Sequence, residues 1–429
     1  MRDKSALLIA APSSGSGKTV FTLGLLRALK QRGVDITSAK AGPDYIDPGF
    51  HAVASGTTSV NLDPWAMNHD RLSMLAARQA GTHLLIEGMM GLYDGAADGT
   101  GSAADLAKTL GCPVLLIVDA AKQSHSVAAL VRGFRDHDPS VNLAGVILNK
   151  VGSERHGKIL TNALDAIGVP VLGMVHRDER LALQERHLGL VIAEEVEEIE
   201  SQISQVAELI ASSCDLDRIH ACFQPLANHE ERDNFVPPLG QNIAIARDEA
   251  FTFIYPHLLE DWRDQGAAIS FFSPLNDEVP ETGVDAIFLP GGYPELHAGK
   301  LAQAEDFKTA MIIARNRETL IYGECGGYMV LGEGLIDADG KHHEMTGLLH
   351  LVTSFEKRKL HLGYRKVETE HFPMGNRLTA HEFHYSSVIE ENGEPFLKAS
   401  DALGNDLGQA GLREEHVMGS YMHIIDGIV

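Results

Sequence analysis

The sequence predicts an α/β protein made of two doubly wound domains. Three features carry this expectation: short apolar runs alternate with amphipathic helical patterns, a Gly-rich loop separates the first run from the first helix, and the alternation restarts after a polar, Pro-containing segment. At 429 residues, 44% of them apolar, the chain is long enough for two or three cores, and two is the working count.

Taken in order, ALLIAA opens the chain as a strand. The start MRDKSALLIAAPSS is basic and then apolar, like a secretion signal, but the run is brief and leads straight into SGSGKT. VFTLGLLRALKQRG follows as a helix, and HLLIEGMMG, CPVLLIVDA, LAGVILNKV and VPVLGMV read as further strands before about residue 220. Their nearly continuous apolar character is that of parallel strands covered on both faces. Residues 223–241, with ANHEERDNFVPPLG at their centre, are polar and charged and form the expected linker between a domain at 1–222 and one at 242–429. The rhythm then resumes with NIAIARDEAF, AAISFF, DAIFLPGG, TLIYGECGG and VMGSYMHI. No repeat or low-complexity tract interrupts it.

Charge and cysteine usage exclude several function classes. Lys and Arg number 36 and Asp and Glu 59, so the net charge is 36 − 59 = −23, which repels nucleic acid. A polyanionic substrate would need local basic clusters such as EKRKLHLGYRK at 356–366. Cys112, Cys214, Cys222 and Cys325 show neither a CxxC pair nor a metal-ligand rhythm, which fits a reducing cytoplasm. No run approaches the roughly 20 apolar residues that span a bilayer. The expectation is a soluble cytoplasmic protein without nucleic-acid or membrane partners.

In the first domain, APSSGSGKTVFTLGLL sets a Gly-rich loop and a Lys-Thr pair between a strand and an amphipathic helix. Backbone N–H groups of Gly15, Ser16 and Gly17 would surround phosphate oxygens of ATP, Lys18 would hold the β/γ-phosphates, and Thr19 would hold Mg²⁺. Pro12 stands where GxxxxGK[ST] has its first Gly, so the loop must begin on another backbone path. Carboxylates at strand ends suit a metal. Glu87 in IEGMMGLYDG, flanked by glycines, is the favoured ligand, with Asp94 in the same motif available for substrate. Asp119 fits either a functional site or the N-cap of the helix that follows. KAGPDYIDPGFH at 40–51, interrupted by Pro43 and Pro48, gathers Lys40, Asp44, Tyr45 and Asp47 in one short stretch and reads as a binding loop, with Asp47 a further metal candidate; an ordinary turn-rich connection is the alternative.

In the second domain, Gly323-Glu324-Cys325-Gly326-Gly327 is a G-x-C-x-G nucleophile elbow between a strand and a helix. Exposure of the sulfur at the helix N-terminus, beside an imidazolium, would lower the thiol pKa. A buried structural thiol is the alternative. The N–H groups of Gly292, in LPGGYPELH, and of Gly326 would form an oxyanion hole, and His423 in GSYMHI would serve as base.

The order GGYP, GECGGYM, SYMH resembles the class I, triad-type glutamine amidotransferase domain, which implies a flavodoxin-like fold. That family places a Glu two residues after the histidine. Here the position is Ile425, and Asp426 or a backbone carbonyl is left to orient His423. The first domain is similar to the dethiobiotin-synthetase-like branch of P-loop proteins, which implies an adenine contact for Asn149; a solvated loop is the other reading. The fusion of the two, with KAGPDYIDPGFH, IEGMMGLYDG, GECGGYM, LGYRKVE and HEFHYS, resembles the cobyrinic or hydrogenobyrinic acid a,c-diamide synthase family over nearly the whole chain. The Gly that often precedes HEFHYS in relatives is absent. The resemblance implies ATP, Mg²⁺, glutamine and a corrin polycarboxylate as ligands, and amidation of the a and c acetates through an acyl phosphate. A cobyric acid synthase-like enzyme and a P-loop metabolite sensor are the rival readings.

Overall fold

Seven parallel strands carry the first half of the chain. The computed structural model describes residues 4–79, 81–178, 198–227, 235–370 and 372–428, and the chain divides into two units, Met1–Asn234 and Phe235–Val429. In the first unit the order is β1 (Ser5–Ala10), α1 (Lys18–Gln31), β2 (Ile36–Ala41), α2 (Asp47–Ser55), β3 (Val60–Leu62), α3 (His69–Arg78), β4 (His83–Glu87) and α4 (Ala103–Leu110). It continues with β5 (Val114–Asp119), α5 (Ser126–His137), β6 (Leu143–Val151), α6 (Glu154–Asp165), β7 (Val171–His176), α7 (Ile199–Ser213), α8 (Leu216–His220) and β8 (Gln224–Pro225). The sheet runs β3-β2-β4-β1-β5-β6-β7, all parallel, and β8 pairs antiparallel with the start of β1. Strand β1 has β4 on one side and β5 on the other, so the carboxyl ends of these three strands border the switch point where such sheets bind ligands.

Two local expectations change. Asp47 does not lie in a loop: Pro48 occupies the first turn of α2, where a missing N–H costs nothing, and Asp44 Oδ1 accepts the N–H groups of Ile46 and Asp47 to start that helix. Asp119 is no helix N-cap either, because α5 begins only at Ser126; its carboxylate accepts the Ala121 N–H at 2.9 Å and Lys150 Nζ at 2.8 Å. Of the segment 223–241, Gln224 and Pro225 join the first sheet, residues 228–234 lie outside the described residues, and Val236 and Leu239 are buried.

The second unit begins β9 (Asn242–Ala246), α9 (Pro256–Asp264), β10 (Ala268–Phe272), β11 (Ala286–Leu289), α10 (Pro294–Gln303), α11 (Glu305–Asn316), β12 (Leu320–Glu324) and α12 (Gly326–Leu331). It ends with β13 (Gly334–Ile336), β14 (His342–Glu344), β15 (Leu351–Ser354), β16 (His361–Glu368), β17 (Arg377–His384), β18 (Ser387–Glu391), β19 (Glu394–Asp401), β20 (Asp406–Glu414), β21 (Val417–Ser420) and β22 (Met422–Gly427). Strands β10-β9-β11-β12-β21 are the parallel, doubly wound part. Beyond them the same sheet continues antiparallel as β20-β19-β16-β17-β22, and β14-β13-β15-β18 form a separate sheet. The antiparallel extension goes beyond the expected architecture.

Candidate active sites

In the first unit the P-loop joins β1 to α1. Gly15 and Gly17 have φ of 76° and 91°, and a Cβ on Gly17 would sit 2.4 Å from Asn149 Nδ2, so both backbone angle and space require glycine there. The loop is held from outside. Asn149 Nδ2 donates to Ser16 O at 2.9 Å and Lys150 Nζ to Gly15 O at 3.1 Å. Both residues belong to the end of β6 rather than to a loop after it, and Lys150 turns the chain with a φ of 56°. A cavity of about 320 Å³ opens beside them, lined by Gly17, Phe21, Asn149, Val175, Arg177 and Ile210 among others.

Around Thr19 a buried ionic cluster gathers the ends of β2, α2 and β4. The Thr19 hydroxyl donates to Glu87 Oε1 at 2.7 Å and reaches Asp47 Oδ2 at 3.5 Å. Lys40 Nζ lies 2.8 Å from Glu87 Oε1, also contacts Asp47, and stands 4.0 Å from Asp44. His51 Nε2 meets Glu87 Oε2 at 2.6 Å. Burial alone would raise the Glu87 carboxyl, yet Lys40 and His51 outweigh it and hold it well below the carboxylate range. Burial and then Asp44 push Asp47 up to about 7, against Lys40. Lys40, expected among the substrate contacts, is thus the internal cation of this cluster. Lys18 donates to Met90 O at 2.5 Å, and burial lowers its pKa against the pull of Glu87. Asp94 accepts the Gly91 N–H at 2.9 Å and shapes the 88–95 loop near Lys18. Tyr45 is half-buried in the turn before α2. Thr19, Asp47 and Glu87 converge as hard oxygen donors, the ligand set that Mg²⁺ prefers.

In the second unit, β12 ends at Glu324 and α12 starts at Gly326, with Cys325 between them at φ 46° and ψ −101°. That strained angle is the elbow the motif predicts. The turn is packed from behind: a Cβ on Gly327 would lie 1.9 Å from Leu289 O, and one on Gly326 3.1 Å from Gly292 N. Gly292 and Gly326 are therefore neighbours, and a Cβ on Gly291 would meet the His423 ring at 2.3 Å.

The electrostatics differ from the expected reactive thiolate. Cys325 is buried rather than exposed, and burial, then Glu295, raise its thiol above the ordinary value; the Gly326 N–H opposes them only in part. Burial, then His381 and His384, lower His423 to about 3, so it is a neutral imidazole at pH 7, not an imidazolium. Glu324 lies with Oε2 3.8 Å from His423 Nδ1 and is pushed up to about 8 by burial. The first four residues of HEFHYS, His381 to His384, form the end of β17, which pairs with β22 so that His381 faces His423 in register. Glu382 in that motif is fixed by Arg365 at 2.6 Å and by His384 at 3.1 Å, and Tyr421 stacks on His384.

His51, Glu324 and the Arg365–Glu382 pair were not singled out from sequence. All of them lie inside the sequence motifs, His51 in KAGPDYIDPGFH, Glu324 in GECGG, Arg365 in LGYRKVE and Glu382 in HEFHYS, but only the fold shows what they touch.

Comparison with known proteins agrees with both halves. Residues 7–191 match the CobQ/CobB/MinD/ParA nucleotide binding domain, and residues 242–427 the CobB/CobQ-like glutamine amidotransferase domain. The chain is 54% identical over 426 residues to the hydrogenobyrinate a,c-diamide synthase of Rhizobium meliloti (strain 1021), covering 98% of this chain and 99% of the relative. It is 55% identical over 435 residues to the protein of that name from Sinorhizobium sp, again covering 98% and 99%. For that of Mesorhizobium japonicum the figures are 51% over 433 residues, with 98% of each chain covered. A nucleotide-binding unit and a glutamine amidotransferase unit thus stand in the same order along nearly the full length of these relatives, and the chain belongs to the hydrogenobyrinate a,c-diamide synthase family.

Proposed function

We propose that this chain uses ATP and glutamine to amidate the a and c acetate carboxylates of hydrogenobyrinic or cobyrinic acid, a step of cobalamin biosynthesis. The observation that carries this reading is the pairing, in one chain that resembles those synthases from end to end, of a glycine-built phosphate loop and a strained cysteine elbow whose preceding residue, Glu324, lies 3.8 Å from His423. Residues 1–222 act as the ATP-dependent amide synthetase and 242–429 as the glutaminase. Its place of work on this reading is the cytoplasm; the acidic net charge argues against a nucleic-acid partner, and among the described residues no helix is long and apolar enough to cross a membrane.

A carboxylate is a poor acyl donor and is activated first by phosphorylation. The N–H groups of Gly15, Ser16 and Gly17 and the Lys18 ammonium bind the ATP phosphates, and Asn149 lines the neighbouring base cavity. Thr19, Asp47 and Glu87 would hold Mg²⁺, which when bound would neutralise phosphate charge. Lys40 and His51 keep Glu87 ionised and oriented. Asp44, Tyr45 and Asp94 border the substrate position. In the glutaminase, His423 takes the thiol proton as Cys325 sulfur attacks the glutamine amide, and the N–H groups of Gly292 and Gly326 receive the developing oxyanion. The C–N bond then breaks with proton return to the leaving ammonia. Water hydrolyses the thioester and restores the thiol, and ammonia displaces phosphate from the activated substrate.

The test is mass spectrometry of products from ATP, glutamine and hydrogenobyrinic or cobyrinic acid. Each OH-to-NH₂ exchange lowers the mass by about one unit, as acyl substitution requires. Two such steps in the intact protein, and ammonium-driven product alone from Cys325→Ala, are expected. Absence of any amide product with ATP and either nitrogen source would refute the reading.

A further inference from the structure

Ile425, at the position where triad-type relatives carry their glutamate, is fully buried and cannot accept a hydrogen bond through its side chain. A different carboxylate faces the same ring nitrogen. Glu324, the residue before the nucleophile, has Oε2 3.8 Å from His423 Nδ1. Its other oxygen, Oε1, accepts the Tyr322 hydroxyl at 2.9 Å and the Ile424 N–H at 3.2 Å. Two donors on one oxygen fix the plane of the carboxylate and leave Oε2 turned toward the imidazole. Because Ile424 follows His423, the same carboxylate also fixes the backbone beside the ring. Glu324 and His423 are 2% and 1% exposed. A carboxyl in such a place is costly unless it serves a partner. A glutamine would accept both hydrogen bonds, so those bonds alone do not explain an acid.

We propose that Glu324 is the third member of the glutaminase apparatus, a positioning residue that accepts the Nδ1–H of His423 and so makes Nε2 the nitrogen that takes the Cys325 proton. The proposal rests on the reading of Cys325 and His423 as a glutaminase pair. When the S–C bond forms, the thiol proton moves to Nε2, and the imidazolium lies against the Glu324 carboxylate until the proton passes to the departing ammonia. The acid comes from the strand that ends at the nucleophile instead of from the strand that carries the base.

Glu324→Gln is the diagnostic change. It keeps the acceptor for Tyr322 and Ile424 but presents an amide N–H to Nδ1, which favours the Nε2–H tautomer that cannot accept a proton. In the full-length protein, glutaminase kcat should fall at least about tenfold, with glutamine KM within twofold and ammonium-driven synthesis unchanged. A kcat within twofold of the parent would overturn the proposal, as would a loss confined to Asp426→Asn. Should Glu324→Gln not fold, ¹⁵N-histidine spectra of the unaltered protein decide the matter, with the His423 signal assigned by its loss in His423→Gln. An Nδ1–H tautomer at pH 9 supports the assignment and an Nε2–H tautomer refutes it. Full glutaminase activity in Cys325→Ala or His423→Ala would instead overturn the glutaminase reading itself.

Discussion

Replacing Lys40 with Met removes the cation at the centre of the synthetase cluster while keeping an unbranched side chain of similar length. Lys40 and Glu87 have side chains only 4% and 1% accessible, so neither can fall back on water. Removing one partner of a buried pair costs about 3–5 kcal/mol, because the other charge stays buried. His51 and the Thr19 hydroxyl still engage Glu87, and Asp47, already raised to about 7, can take up a proton. The expected loss therefore falls at the low end, about 3 kcal/mol. Its sign with pH follows from linkage. Glu87 has a lowered folded pKa, so its stabilisation is present above its unfolded pKa and disappears as pH falls. Lys40 has a raised one, so its share is complete at neutral pH and fades only in strong alkali. The destabilisation should be greatest near neutrality and shrink toward the ordinary carboxylate pKa of about 4. The chain has two tryptophans, Trp65 in the first unit and Trp262 in the second. Urea unfolding followed by Trp65 fluorescence in a Trp262→Phe background isolates the relevant transition. A loss below about 1 kcal/mol, the level of a surface ion pair, or one independent of pH, would refute the argument.

Three further outcomes are expected. Lys18→Ala should abolish synthesis from both glutamine and ammonium while circular dichroism stays that of the parent; appreciable ammonium-driven turnover would show the phosphate loop to be misread. Ile425→Glu should bring no tenfold gain in glutaminase rate, a gain that would be worth about 1.4 kcal/mol, since Glu324 already faces His423 and a second buried carboxylate adds a desolvation cost. Glutaminase rate should climb with pH through about 8 as Glu324 ionises, whereas the stability of the second unit should already fall as pH rises from the ordinary carboxylate value toward about 8 and level off above it, because only in that window does the folded state hold a proton that the unfolded state has lost. Glu295, raised to about 7 chiefly by burial with Arg358 opposing, adds to the stability trend; in Glu324→Gln the rate should lose its limb near 8, and a parent rate flat from pH 6 to 9 would contradict the assignment.

The parallel strands were legible because their apolar runs are nearly unbroken: ALLIAA, HLLIE and VLLIVD are buried on both faces. Strand β2 was not, although wholly buried, because ITSAKA is built mostly of small and polar residues and carries, one residue before its end, the lysine that the ionic cluster requires. The antiparallel strands escaped for the opposite reason. In β18 and β20, SVIEE and DLGQAGLRE are mostly solvent-facing, so the period-two signal is too dilute to stand out. Phosphate loop, elbow and histidine were readable because each needs glycine or a nucleophile at fixed spacing. Partners brought in by tertiary proximity were not: Glu324 meets His423 from 99 positions earlier in the chain (423 − 324 = 99), and no spacing rule encodes that. The thiol was misjudged because its pKa depends on burial and on Glu295, neither of which the motif records.

The clamp that β6 places on the phosphate loop bears on how nucleotide arrives. With the carbonyls of Gly15 and Ser16 held by Lys150 and Asn149, those residues are ordered before any ligand comes. Fixing a residue's backbone costs about 1–2 kcal/mol of entropy, and here the cost for two residues is absorbed in folding rather than charged against affinity. Capture of ATP then calls for no rearrangement of the loop, and association can proceed at the rate set by encounter. Loosening the clamp, as in Asn149→Ala, should weaken ATP, ADP and GTP binding by a common factor. A calorimetric titration showing that only adenine nucleotides suffer would mean that Asn149 acts through the base instead.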